Sequence, residues 1–150
     1  MSPSLSGWVV LAVKAFCAAI VFIATVQTLL IVAPAVETRW FPPVSKLTML
    51  DMRETADGRT AIDAYFTKVR DCEYIGIAWY EGRPDGAFER VPIILLREEG
   101  DTSSPNRPVG SQRAGPWIIS LSPDEVRNNS FARLSHRCNP FFITTTDFWP

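Results

Sequence analysis

The hydrophobic pattern divides the chain into one long apolar run near the N-terminus and a series of short alternating segments. Residues 7–33 read GWVVLAVKAFCAAIVFIATVQTLLIVA, and Lys14 is the only charged side chain in this run. A helix over residues 15–33 alone is about 28 Å long, which is close to the hydrocarbon thickness of a bilayer. The pattern therefore predicts a single transmembrane helix that ends at Pro34.

The residues after the run predict a stiff connection to the rest of the chain. Trp40 suits the interfacial belt of a membrane, and the pair Pro42-Pro43 favours an extended backbone. We therefore expect three parts. They are a transmembrane anchor in residues 1–35, an extended linker in residues 36–46 and an extracytoplasmic β domain in residues 47–150.

A cleaved signal peptide is the alternative interpretation of the apolar run. Ala33-Pro34-Ala35 resembles the small-x-small pattern of a cleavage site. However, the run is longer than the hydrophobic region of a typical signal peptide, and no basic segment precedes it. The sequence therefore favours a retained anchor over a cleaved one.

Alternating apolar and polar residues, separated by turn signals, predict short strands in the second part of the chain. Residues 72–81 alternate as CEYIGIAWYE, and residues 88–97 form a second strand, FERVPIILLR. Pro92 cannot donate to a strand ladder, so it implies an edge or a bulge in that strand. Further strands are predicted in residues 116–121, 131–138 and 141–148.

Two other segments complete the predicted fold. Asp57-Gly58 is a hairpin signal within residues 47–70; the second half of that segment also fits a short helix, but its neighbours favour strands. Ser122 followed by Glu125 has the spacing of a capping box and predicts a short helix. The predicted fold class is a single transmembrane α-helix followed by a small, mostly β domain with one short helix. The domain is antiparallel and resembles a β-sandwich or an open barrel.

The cysteines bear on the compartment. Cys72 and Cys138 form a pair within a small β domain, which predicts a disulfide and an oxidising, extracytoplasmic environment such as the periplasm. Cys17 lies within the apolar run. The positive-inside rule instead favours a cytoplasmic β domain, because cationic residues follow the apolar run. These residues are Arg39, Lys46 and Arg53.

The sequence contains no recognisable catalytic, cofactor or metal-binding motif. His136 is the only histidine, and alternation with Leu134 places it on the inward face of a strand. A catalytic histidine needs a nucleophile and an orienting acid nearby, and none is identifiable. We therefore expect no enzyme and no cofactor; a small hydrolase would require a polar pocket around His136.

Charge and small-residue patterns indicate recognition instead. The formal net charge is −1 with both signs interspersed, so nothing in the sequence indicates the basic patch or stripe typical of nucleic-acid binding, and we expect no nucleic-acid partner. One face of the apolar helix combines small and slightly polar residues, a pattern typical of helix–helix docking, although threonine hydroxyls also bond within their own helix. This predicted docking face consists of Lys14, Cys17, Ala18, Val21, Thr25 and Thr28.

A second predicted recognition region lies in the β domain. Residues 100–115 form a long polar segment that contains Arg107 and Arg113, and long loops are often functional. Trp149 ends an aromatic-rich C-terminal segment and is available to a partner if it is exposed.

These features favour a membrane-anchored, non-enzymatic interaction module, an accessory or assembly subunit of a larger membrane complex. Its expected partners are the lipid bilayer and transmembrane helices of that complex, whereas a small-molecule ligand is disfavoured. The alternative is a free-standing envelope protein of phage or prophage type that binds a periplasmic target. A small hydrolase is the least favoured function.

Overall fold

The computed structural model describes residues 5–97 and 104–149 of the chain. Within these residues a long helix, α1 (Leu5–Trp40), precedes eight strands and a short helix, α2 (Pro123–Asn128). The strands are β1 (Thr48–Glu54), β2 (Thr60–Lys68), β3 (Glu73–Gly82), β4 (Phe88–Val91), β5 (Ile93–Leu95), β6 (Gly110–Ile119), β7 (Ser130–Arg137) and β8 (Thr144–Phe148). The predicted fold class is confirmed.

Helix α1 is long and apolar enough to cross a membrane, and its side chains over residues 7–32 are exposed. It continues through Pro34 to Trp40, so the predicted end at Pro34 is wrong. Residues 36–40 of the predicted extended linker are therefore helical. Proline removes one helical hydrogen bond, but contacts of the last turn with the β domain stabilise the helix beyond it.

The eight strands form two four-stranded antiparallel sheets. The strand order is β1-β2-β6-β5 in one sheet and β4-β3-β7-β8 in the other. Their facing sides bury the hydrophobic core, in which Trp79 and Ile62 are fully buried. The indole Nε1 of Trp79 donates to Ser130 Oγ at 2.9 Å, so its polar atom is satisfied within the core.

Two local predictions are confirmed. Residues 47–70 form the hairpin of β1 and β2, and Gly58 in its turn has a φ of 79°. Helix α2 begins with the predicted capping box, because Ser122 Oγ accepts from Glu125 N and the Glu125 carboxylate accepts from Ser122 N. Local signals suffice here because both motifs are closed by residues a few positions apart.

The segment predicted as a single strand over residues 88–97 is divided at Pro92. Strand β4 pairs with β3, whereas β5 pairs with β6 in the other sheet. The chain therefore crosses between the sheets at the one position of the segment that has no N–H donor. Pro92 contributes its carbonyl instead, which accepts from Ser120 N at 3.1 Å.

Strand β6 begins at Gly110, earlier than the strand predicted over residues 116–121. Residues 110–115, predicted as part of a polar loop, are strand because β6 pairs with the full length of β2, from Thr60↔Ile119 to Lys68↔Gly110. Of the rest of that predicted loop, residues 104–109 contain no strand or helix, and residues 100–103 lie outside the described residues. Residues 110–115 are therefore a strand in spite of their polar sequence, because β2 is long enough to pair with them.

Candidate functional site

The predicted docking face lies on the exposed part of α1. All six of its residues are solvent-exposed and lie away from the β domain. Thr25 Oγ1 donates to Val21 O and Thr28 Oγ1 donates to Ala24 O, both at 2.8 Å. These hydroxyls are therefore satisfied within their own helix, so the small size of its residues, more than their polarity, distinguishes this face of α1.

The last turn of α1 is attached to the β domain through the carboxylate of Glu37, which is only 9% exposed. Arg70 Nη1 donates to Oε1 at 2.6 Å. Thr144 Oγ1 donates to Oε2, and Asn139 Nδ2 donates to the same oxygen at 3.4 Å. One side chain from the helix is thus held by the β2–β3 loop, the β7–β8 loop and β8, an arrangement that we call the Glu37 junction.

Further contacts strengthen the Glu37 junction. Thr38 Oγ1 donates to Thr145 O at 2.9 Å, and Arg70 Nη1 also donates to Phe41 O at 2.8 Å. Both contacts join the end of α1, or the residue after it, to the β domain. The helix therefore meets the domain through a set of directed hydrogen bonds, which restrict its orientation more than an extended linker does.

The predicted disulfide between Cys72 and Cys138 is present, with Cα atoms 4.4 Å apart. Cys72 lies two residues after Arg70, and Cys138 directly precedes Asn139. The bridge therefore ties together the two loops that hold Glu37. Cys17 is a free, exposed cysteine on α1.

A cavity of about 260 Å³ lies between the two sheets. Its walls are largely apolar and come from β2, β3, β5, β6 and β7, with Phe66, Ile77, Leu95, Trp117 and Leu134 among them. Its polar side chains are Lys68, Tyr74, Arg97, Arg107 and His136. The cavity thus combines a largely apolar wall with a cluster of polar side chains, four of which bear nitrogen.

Lys68 is the most deeply buried cation of this cavity, with 2% of its surface exposed. Its Nζ donates to Arg107 O at 2.6 Å and to Asn106 Oδ1 at 3.0 Å. The carboxylate of Asp71 lies 3.8 Å away on a side chain that is 87% exposed. Neutral oxygens therefore satisfy two of the ammonium donors without cancelling the charge.

His136 lies on β7, is 2% exposed and faces inward as predicted. Burial and the nearby charge of Lys68 lower the pKa of His136 to about 4, so the imidazole is neutral at physiological pH. Its ring meets that of Tyr74 edge-on at 5.8 Å, and burial raises the pKa of the Tyr74 hydroxyl. The Nδ1 atom of His136 has no hydrogen-bond partner in residues 5–97 and 104–149.

The three residues predicted for recognition in the β domain are not brought together. Arg107 lines the cavity, and Arg113 lies exposed on β6 opposite Tyr65. Trp149 stacks on Phe131 at 6.4 Å, next to the other sheet. The two arginines of the predicted loop and the tryptophan near the C-terminus therefore lie at separate places in the domain.

Two important residues were missed by sequence reasoning. Lys68 follows Ile62, Ala64 and Phe66 at a spacing of two, so the alternation of β2 already placed it on the inward face. The burial of Glu37 had no such signal, because it depends on loops that lie more than thirty residues away in sequence.

Comparisons of the chain with protein-family models, curated proteins and solved structures found no match. Among the described residues, no group of three or more His, Cys, Asp or Glu side chains could hold a metal ion. Function is therefore inferred from the geometry of α1, the Glu37 junction and the cavity.

Proposed function

We propose that this chain is a single-span membrane protein whose β domain acts as a non-enzymatic interaction module, an accessory or assembly subunit of a larger membrane complex. The observation that carries the proposal is the Glu37 junction. It holds the β domain against the end of the helix in a defined orientation, which suits a subunit that must present one surface to fixed neighbours. The free-standing envelope protein has less need of such a junction, because a flexible tether allows it to reach its target.

The dimensions of α1 support the membrane span. Trp8 and Trp40 lie near its two ends, roughly 48 Å apart at helical rise, which is close to the thickness of a bilayer including its interfacial regions. Tryptophan is enriched at both interfaces of a membrane. Lys14 lies about 9 Å from Trp8 along the helix, within reach of the headgroups for a long side chain.

Aromatic residues at the Glu37 junction support a position of the β domain at the membrane surface. Trp40 and Phe41 follow directly after Glu37 and Thr38, and both are exposed. Phe141 is also exposed and lies two residues after Asn139. The backbone N–H of Phe141 donates to Asn139 Oδ1 at 3.0 Å. Such exposed aromatic side chains beside a transmembrane helix suit the interfacial belt.

The disulfide supports an extracytoplasmic domain. A bond between Cys72 and Cys138 persists in the periplasm or another oxidising compartment and is rare in a reducing cytosol. This weighs more than the positive-inside signal of three cationic residues, because a translocated domain does not follow loop charge strictly. The described residues that line the cavity beside His136 include no serine, threonine, cysteine or carboxylate, so they offer neither the nucleophile nor the orienting acid of a hydrolase, and this favours an interaction module.

Co-purification tests the proposal. The full chain is purified in mild detergent, and bound proteins are identified and quantified by mass spectrometry. We expect membrane proteins at a fixed ratio to the chain. Glu37→Ala should reduce this ratio several-fold, whereas Glu54→Ala, which removes an exposed glutamate from β1, should not change it. Faster tryptic cleavage after Arg39 in Glu37→Ala would verify that the junction has opened.

The docking face is tested in the same experiment. Ala18→Leu together with Thr25→Leu enlarges the face and should reduce the ratio, because small residues permit close helix approach. Ala15→Leu together with Ala19→Leu is the matched change on another side of α1. If the chain elutes without membrane partners, the proposal is wrong; if all variants keep the wild-type ratio, neither the junction nor the face mediates assembly.

A further inference from the structure

We propose that the cavity between the two sheets binds a small amphipathic anion, a carboxylate with a short hydrocarbon body. The site is the point where the buried ammonium of Lys68 and the inward-facing ring of His136 meet the apolar walls of both sheets. This goes beyond the proposed interaction function and does not depend on it. It also departs from the sequence-based expectation that disfavours a small-molecule ligand.

The walls define the body of the ligand. Side chains from β2, β3, β5, β6 and β7 line the cavity. Its volume of about 260 Å³ is just below the roughly 300 Å³ at which the range for ligand pockets begins, so it suits only a small ligand. Phe66 and Trp117 come from one sheet, and Ile77 and Leu134 from the other. An apolar group held between these walls is removed from water on several sides, which favours a short hydrocarbon chain over a polar molecule.

Lys68 defines the charge of the ligand. Two of its N–H donors bond to the amide oxygen of Asn106 and the carbonyl of Arg107, which are both neutral. The Asp71 carboxylate is 3.8 Å away, too far for a hydrogen bond, and it lies mostly in solvent. Asp71 therefore forms only a long, solvent-exposed salt bridge with Lys68, which screens its charge weakly, and the buried ammonium can still attract an anion.

His136 supplies a directed contact. It is 2% exposed, and its Nδ1 lacks a hydrogen-bond partner among the residues that the structure describes, which is costly for a buried polar atom. In the Nδ1–H tautomer this atom donates to an oxygen. A bound carboxylate accepts a hydrogen bond from this Nδ1–H group, and its negative charge is attracted by the ammonium of Lys68. A single carboxylate group therefore suits both side chains.

Other ligand classes fit less well. The described side chains that line the cavity include no carboxylate, so among them a cationic ligand finds no group of opposite charge. A phosphate carries more charge and is costlier to remove from water, which disfavours it against largely apolar walls. A neutral hydrocarbon gives His136 Nδ1 no hydrogen-bond partner and gains nothing from the charge of Lys68.

The single histidine of the chain provides a specific probe of the cavity. The full chain in lipid nanodiscs is titrated with octanoate, octanol and octylamine, and the imidazole resonances of His136 are followed by NMR. Octanoate should shift these resonances in a saturable manner and bind about tenfold more tightly than octanol. It should also raise the pKa of His136 from about 4, because a bound anion opposes the charge of Lys68. Octylamine should cause no saturable shift.

A matched pair of lysine variants locates the charge preference. Lys68→Met should abolish the preference for octanoate over octanol, whereas Lys46→Met, which removes an exposed lysine before β1, should leave it intact. The proposal is overturned if octanoate and octanol bind equally to the wild-type chain, if octanoate causes no saturable shift, or if Lys46→Met has the same effect as Lys68→Met. The wild-type ligand series is decisive by itself if Lys68→Met does not fold.

Discussion

At the scale of single residues, two charged side chains lie in buried positions and are stabilised in different ways. Glu37 forms an ion pair with Arg70 and accepts further hydrogen bonds from Thr144 and Asn139. Lys68 instead bonds mainly to neutral oxygens. Burying an ion is costly unless partners compensate, so both residues constrain the loops around them. Glu37 thereby orients the domain, and Lys68 gives the cavity its charge.

His136 makes stability depend on pH in a defined window. Its pKa is about 4 in the folded chain and about 6.5 when unfolded, so the unfolded state binds more protons between these values. The free energy of unfolding is therefore highest above about pH 6.5 and decreases as the pH falls from 6.5 toward 4. We expect a loss of about 2–3 kcal/mol between pH 7 and 4.5, measured by chemical denaturation of the full chain.

His136→Gln is the control for this prediction, because glutamine does not titrate and should flatten the profile in this window. Asp57 has a pKa lowered to about 2 by its hydrogen bond from Arg59, so its contribution is lost below its ordinary value of 3.8 and outside the window. An unchanged slope in His136→Gln would show that other groups cause the pH dependence.

At the scale of elements, pairing partners decided where strands begin and end. The segment over residues 88–97 has continuous strand character, yet it serves two sheets because Pro92 interrupts its ladder. Strand β6 extends into a polar segment because β2 offers a long edge. The register between β2 and β6 shifts between Ile62 and Ala64, opposite Gly115. A close approach of the two strands occurs at this glycine.

Gly115 is required by both conformation and space. Its φ is 123°, and a Cβ there would lie 2.7 Å from Ile62 O and 3.0 Å from Asp63 Cα. Gly110 has a similar φ of 127°, but a Cβ there would have no atom within 4 Å. Gly110→Ala therefore measures the cost of the backbone conformation without the steric clash. Gly115→Ala should lower the free energy of unfolding by about 2 kcal/mol more than Gly110→Ala, measured by urea denaturation. If both variants lose the same free energy of unfolding, the clash at Gly115 is relieved by a movement of β2 and β6 that costs nothing, and the prediction is wrong.

At the scale of the whole molecule, one long helix and one β domain are joined at a single end of the sandwich. The Glu37 junction and the Cys72–Cys138 bridge both involve the β2–β3 and β7–β8 loops. Lys68 and His136 lie two residues before Arg70 and Cys138, so the charged part of the cavity is close to the same end. Loss of the disulfide should therefore affect the domain and its connection to the helix together.

The disulfide closes a loop of 66 residues, for which the loop-entropy relation gives about 4 kcal/mol of stabilisation. Cys72→Ala together with Cys138→Ala should lower the free energy of unfolding by that order and increase cleavage after Arg39. Cys17→Ala should leave both unchanged, since Cys17 is a free cysteine on the exposed part of α1. Thermal and chemical unfolding of the three chains measures the difference, and a stability loss in Cys17→Ala alone would contradict this assignment.

The sequence by itself determined the features that depend on neighbouring residues. The apolar run predicted α1, alternation predicted most strands, Asp57-Gly58 predicted the first hairpin and Ser122 predicted the start of α2. The Cys72–Cys138 pair also followed from composition, because the domain contains no other cysteine. Periodicity, turn chemistry and capping act over a few positions, so they can be read directly from the chain.

Only the tertiary structure decided the features that join distant segments. Helix α1 continues past Pro34 because Glu37 and Thr38 find partners in loops and strands formed a hundred residues later. The cavity exists because β2 and β7 place Lys68 and His136 on facing sides of the sandwich. Burial and electrostatics depend on which segments surround a residue, and that information appears only when the two sheets pack together.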